Sequence, residues 1–169
     1  MGSIRSQART TSPDPLSVRT FRELVRTFGL IERVMQTHFA RFGISGAQWG
    51  VLRHLHRAEQ GGESGLRMTD LGDRLLIRPP SVTGVVDRVE RAGLVERKGS
   101  PDDQRSKLVA LTATGRQLVR KMLTVHERKV ESVLAGLAAN EQAALHHYLT
   151  RLGQHLERLL ANGPAVIAE

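Results

Sequence analysis

Cysteine is absent from this chain of 169 residues, so it can hold neither a disulfide framework nor a thiol switch. No apolar run approaches the roughly 20 residues of a membrane span, and the N-terminal stretch lacks the hydrophobic core of a secretory signal. The expectation is a cytoplasmic protein with no membrane partner. Signatures of catalysis are missing as well: there is no nucleophile elbow, no paired-histidine zinc-hydrolase motif and no phosphate-cradling loop. Gly61-Gly62-Glu63-Ser64-Gly65 is glycine-rich, but it lacks the lysine and the context of a P-loop. The chain reads as a non-enzyme that needs no cofactor.

What is present is positive charge. Lys and Arg number 25 against 17 acidic residues, a formal charge of +8, and such an excess favours a polyanionic partner. The basic residues are interspersed with acids, which points to a folded basic surface rather than a bare tail.

From Leu66 to Leu111 the pattern is two short helices and a basic hairpin. Thr69 can cap a helix whose Leu71, Leu75 and Leu76 share one face. Pro79 and Pro80 have φ preset for a first helical turn, so a second helix starts there and ends at Gly93, a residue suited to a left-handed C-cap. Within it Val82, Val85, Val86 and Val89 form a stripe that must be buried. Pro80, Gly84, Asp87, Arg88 and Arg91 lie opposite, flanked by Ser81 and Thr83, and an arginine here can bond guanine O6 and N7 in bidentate fashion. Strand-like runs at 94–98 and 107–111 enclose a turn-rich loop. Lys98, Arg105 and Lys107 would meet phosphates or a minor groove, with Asp103 placed to orient the Arg105 guanidinium.

The flanks are helical. Residues 1–15, rich in Ser, Arg, Thr and Pro without periodicity, read as a flexible arm. Residues 16–41 carry an amphipathic pattern from Phe21 to Phe39, and Ser45 with Gln48 makes a capping-box signature before Trp49, Val51, Leu52 and Leu55. The 61–65 glycine stretch reads as a flexible link. Thr112 can cap a further long helix and Asn140 the last, which is leucine-rich through Leu145, Leu149, Leu152, Leu156, Leu159 and Leu160. That surplus of apolar surface far from the reader calls for a partner subunit, with an intrachain bundle as the alternative.

Seven histidines offer nitrogen ligands: His38, His54, His56, His126, His146, His147 and His155. Chelation along one helix wants i, i+4 spacing. His54 and His56 point to different sides, and Arg151 intervenes between His147 and His155, so no metal site is assigned.

The runs Arg88-Val89-Glu90-Arg91-Ala92-Gly93-Leu94-Val95-Glu96-Arg97, Asp102-Asp103-Gln104-Arg105-Ser106-Lys107 and Leu111-Thr112-Ala113-Thr114-Gly115 resemble the MarR family of bacterial transcription regulators, a likeness that extends from about Leu16 to Leu160. The resemblance implies a mainly α fold with a small β-hairpin wing, a winged helix-turn-helix between N- and C-terminal dimerisation helices. Its bounds would be 16–44 for the first dimerisation helix, 45–111 for the DNA-binding domain, 112–163 for the C-terminal helices and 164–169 for a tail. It implies a homodimer that reads a palindromic or pseudo-palindromic operator in double-stranded DNA, with Ser81, Thr83, Gly84 and Arg88 in the major groove and Arg105 at the wing tip. Gly84 stands where many relatives carry a polar or basic side chain.

The full candidate DNA-binding set is Ser45, Gln48, Thr69, Arg78, Pro80, Ser81, Thr83, Gly84, Arg88, Arg91, Lys98, Asp103, Arg105 and Lys107. The family's effectors are small organic molecules, aromatic acids among them, bound between the dimer helices and the reader. His38, Trp49 and His54, with Arg19 or Arg26 for a carboxylate, are the candidates here. The function implied is a repressor relieved by such an effector. An architectural protein with little sequence preference would share the charge and the wing, and a metal-sensing regulator would share the fold. Peroxide sensing through cysteine is excluded.

Overall fold

The structure, a computed structural model, describes residues 14–75, 79–99 and 107–162. Along the chain run α1 (Leu16–Ala40), α2 (Gly46–Gln60), α3 (Met68–Leu75), α4 (Pro79–Arg91), β1 (Val95–Gly99), β2 (Lys107–Leu111), α5 (Ala113–Leu134) and α6 (Ala139–Ala161). Arg78, Asp103 and Arg105 lie outside the described residues, as does the loop that carries the wing tip.

Local signals explain three of the element ends. Before α2 the capping box forms as its spacing predicts: the Gln48 N–H donates to Ser45 Oγ (3.3 Å) and the Ser45 N–H to Gln48 Oε1 (2.7 Å). Helix α4 stops where Gly93 takes φ +69°, the Gly93 and Leu94 N–H groups bonding back to the Glu90 and Val89 carbonyls. Thr112 caps α5 by accepting from the Gly115 N–H (3.1 Å).

Three expectations need correction. Thr69 lies inside the first turn of α3, and the cap comes from the other direction: the Arg67 N–H donates to Asp70 Oδ2 (3.3 Å), while the Thr69 hydroxyl turns to Asp70 Oδ1. Asn140 lies inside α6, which begins after Ala138; the Ala138 N–H donates to Glu141 Oε2 (2.7 Å), the return half of a capping box, made without a cap side chain. The 61–65 stretch ends in structure rather than in a free linker. Leu66 exchanges both backbone hydrogen bonds with Val109, and Gly65 packs so close that a Cβ there would stand 2.7 Å from the Val109 carbonyl oxygen.

Strands β1 and β2 pair antiparallel, Val95 opposite Leu111 and Gly99 opposite Lys107. One core lies beneath them. Leu52 and Val51 of α2, Leu71 of α3, the four valines of α4, Val109 and Leu111 of β2, and Val119 and Met122 of α5 are buried together. Fully burying a side chain of this size is worth about 1.5–3 kcal/mol, so the reader is stabilised by a set of contacts from all these elements. The terminal helices differ. On α1, only Met35, His38 and Phe39 near the C-terminus are buried, and α6 has no buried residue. Leu145, Leu149, Leu152, Leu156 and Leu159 stay exposed at alternating spacings of four and three, the pattern of a helix-pairing seam.

Candidate nucleic-acid interface

The valine stripe decides which way α4 faces. Val82, Val85, Val86 and Val89 are at most 4% exposed, and helical geometry then turns Ser81, Thr83, Arg88 and Arg91 outward, all four exposed, with Gly84 half-buried beside them. Arg88 makes no hydrogen bond or ion pair among the described residues and lies along its own helix, one guanidinium nitrogen 3.7 Å from where a Gly84 Cβ would be. Arg91 is held loosely by its own helix, Nε donating to the Asp87 carbonyl (3.3 Å). The helix therefore presents an unpaired guanidinium among small polar side chains, a surface fitted to a groove of DNA.

The hairpin stands at the C-terminal end of this helix. Lys107 is exposed and Lys98 half-buried. Arg97 projects on the same side of β1 as buried Val95 and bridges to α4, Nη2 donating to Asp87 Oδ1 (2.5 Å) and Nη1 to the Glu90 carboxylate. This fork was not legible in the sequence as a pair of contacts, since i to i+7 and i to i+10 spacing means nothing until the chain reverses at Gly93. Ser45 and Gln48 occupy each other at the start of α2, and Thr69 lies inside the first turn of α3. Pro80 lies in the first turn of α4.

The effector candidates are divided. His38 (4% exposed) and Trp49 (4%) are sealed into the joint of α1, α2 and α5, where they meet through His126, which the sequence offered only as a metal ligand and not for an effector. Trp49 Nε1 donates to His126 Nε2 (3.4 Å), and the His38 and His126 rings stand 5.5 Å apart with Phe39 and Phe42 packed on them. Burial, foremost, pushes both imidazoles below their ordinary pKa, and cations add to it: Lys129 and Arg41 against His38, Arg53 against His126. His54 is half-buried on α2, lowered by burial and by Arg57, Arg74 and Arg53. Arg19 and Arg26 are exposed on α1, far along the helix from His38, and Arg26 pairs with Glu23. Among the described residues no three potential metal ligands gather, and no helix is long and apolar enough to cross a membrane.

Two short helices, the second facing outward, followed by a hairpin docked on the same core, define a winged helix-turn-helix DNA-binding protein. The MarR family model matches residues 42–106. The chain is 31% identical over 109 residues to the homoprotocatechuate degradative operon repressor of Escherichia coli, spanning 64% of this chain and 70% of that protein. Its fold matches the structure of BpsR from Bordetella bronchiseptica, described by its regulation of DNA binding by 6-hydroxynicotinic acid, with a TM-score of 0.73 at 25% identity over 84% of this chain and 98% of that one. A mutant of MarR from Escherichia coli complexed with operator DNA has the same fold, with a TM-score of 0.73 at 23% identity over 82% of this chain and 99% of that one. This chain belongs to the MarR family of transcriptional regulators, and the relatives it matches are regulators rather than enzymes.

Proposed function

We propose that this protein is a homodimeric repressor that binds a palindromic or pseudo-palindromic operator and is released by a small organic effector, an aromatic acid in the leading case. The exposed, unpaired Arg88 opposite the valine stripe carries this reading. Two such helices in a dimer would enter successive major grooves roughly 34 Å apart. Ser81, Thr83, Gly84 and Arg88 take the base edges; Arg91, Lys98 and Lys107 take phosphates, as do Ser45, Gln48, Thr69 and Arg78 around the helix ends, while Pro80, which has no N–H to donate, makes only apolar contact there; Arg105, oriented by Asp103, takes the minor groove. Residues 45–111 form the reader, 16–44 and 112–163 the dimerisation helices, and 1–15 and 164–169 the arm and tail. The leucine seam on α6 favours the dimer over an intrachain bundle, because none of its side chains finds cover among the described residues.

For the effector, the support is chemical. A groove of about 600 Å³ between α1 and the start of α2 has Phe28, Ile31, Met35 and Phe39 for apolar walls and Arg33 for a carboxylate. It borders the joint of His38 and Trp49. Binding that favours a dimer with the wrong helix separation must weaken DNA binding by the same coupling free energy. Two relatives, one regulated by 6-hydroxynicotinic acid and one a repressor of homoprotocatechuate degradation, agree with an aromatic acid.

Fluorescence anisotropy tests it, with duplex from upstream of the coding region and a scrambled duplex at two salt concentrations. Binding to the upstream duplex that survives salt, and falls on adding hydroxylated benzoates or nicotinates, is expected. Equal, salt-sensitive binding to both duplexes would establish the architectural alternative instead.

A further inference from the structure

Helix α4 carries two arginines, Arg88 and Arg91, and two acids, Asp87 and Glu90, so its formal charge is zero. A recognition helix with that balance has no electrostatic reason to approach phosphates. Nor do the acids serve the helix itself, since both sit in its C-terminal half, where the macrodipole disfavours carboxylates. Their partner is Arg97 on β1, with a side chain 25% exposed and one guanidinium nitrogen on each carboxylate. Helix and Arg97 together carry +1, and Arg88 and Arg91 become the charges that a groove would meet.

We propose that Arg97 is a positioning residue for DNA recognition: by clasping Asp87 and Glu90 it masks two carboxylates on α4 and makes the charge of the recognition helix depend on the seating of the wing. The inference rests on the DNA-binding reading above. Its physical content is specific. The planar fork holds a separate nitrogen on each carboxylate at a fixed angle, where a lysine would offer rotatable donors on a single nitrogen, and Asp87 keeps 46% of its side-chain surface exposed, so a displaced wing would present that carboxylate to phosphate oxygens. Like charges brought together across an interface repel and weaken binding. Any event that lifts the wing, including the binding of an effector elsewhere, would then turn a helix of net positive charge into a neutral one with two acids near the DNA.

The test is anisotropy titration of R97M, of D87N/E90Q and of the triple D87N/E90Q/R97M, on the duplex that the wild-type protein binds best, each paired with thermal unfolding. R97M is expected to lose about tenfold or more in affinity at a temperature where it remains folded. D87N/E90Q should bind at least as well as wild type, because it removes the carboxylates and leaves the arginine; it also keeps the question open to an answer if R97M does not fold. The triple should recover most of what R97M loses, with no ion pair restored. A merely structural salt bridge predicts the reverse: falling stability in all three and no recovery. R97M binding as wild type does, D87N/E90Q losing affinity, or a triple no better than R97M would each overturn the masking role. Failure of the DNA-binding reading itself would look different, with the wild-type protein binding no duplex even at low salt.

Discussion

Gly84 is a glycine on the outward face of α4 that the fold does not require. Among the described residues a methyl group there would meet only the Arg88 guanidinium, at the ordinary contact distance of 3.7 Å, while glycine in a helix interior costs about 0.5–1 kcal/mol relative to alanine. G84A should therefore raise stability by about that amount, read as an upward shift in thermal midpoint. If DNA affinity falls in the same variant, the missing side chain serves close approach to the groove; if stability falls, the packing around α4 has been misjudged. The buried histidines make a second prediction at this scale. His38 and His126 face Arg41, Arg53 and Lys129, with Glu127 the acid acting in the opposite sense. Their folded pKa values lie below the ordinary 6.5, so the unfolded chain takes up protons first as pH falls. Their contribution is complete above 6.5 and is lost progressively as pH drops from there toward the lowered folded values. Urea unfolding at about pH 7.5 and about pH 5.5 should show the loss, and H38F should reduce its slope; stability that does not change over this range would refute a neutral buried pair.

Among the elements, α5 meets the root of the wing at very close range. A Cβ on Gly115 would stand 2.0 Å from the Leu94 carbonyl oxygen, with Leu111 beside it, so the first turn of α5 can sit on the wing root only because position 115 has no side chain. The same root is held by Thr112, whose hydroxyl donates to the Gly93 carbonyl (2.7 Å) and whose N–H donates to the Leu94 carbonyl. G115A must push the wing away from α5. Overpacking of this kind costs about 1–3 kcal/mol, and the expected result is a lower denaturant midpoint together with weaker DNA binding; an unchanged midpoint would mean that the junction yields without strain. By contrast the Glu59–Arg116 pair joining α2 to α5 is exposed and contributes little.

The whole molecule has a well-covered middle and bare ends. Phe21, Leu24, Val25 and Phe28 on α1 and the leucine seam on α6 are all exposed, an arrangement that a dimer would relieve by pairing the terminal helices of two copies. L152E/L156E should convert the protein to a monomer in light scattering, and with one reader per particle its affinity for a two-site duplex should fall about a hundredfold or more. A variant that stays dimeric would move the interface off α6.

The elements and the orientation of α4 were legible in the sequence, because they follow from signals that act within a few residues: the Ser45 and Gln48 capping box, the valine stripe, the left-handed Gly93 and the Thr112 cap. So was the family, through motifs lying in one continuous stretch from Arg88 to Gly115. Caps that depend on a carboxylate reaching back, at Asp70 and Glu141, were misread, since Thr69 and Asn140 offered equally good local chemistry. Only tertiary structure could bring His126 of α5 against Trp49 and His38, pair Leu66 with Val109, or set Arg97 on Asp87 and Glu90. Those contacts join residues separated by a chain reversal or by whole helices, and no local pattern records which side chains a shared core will press together.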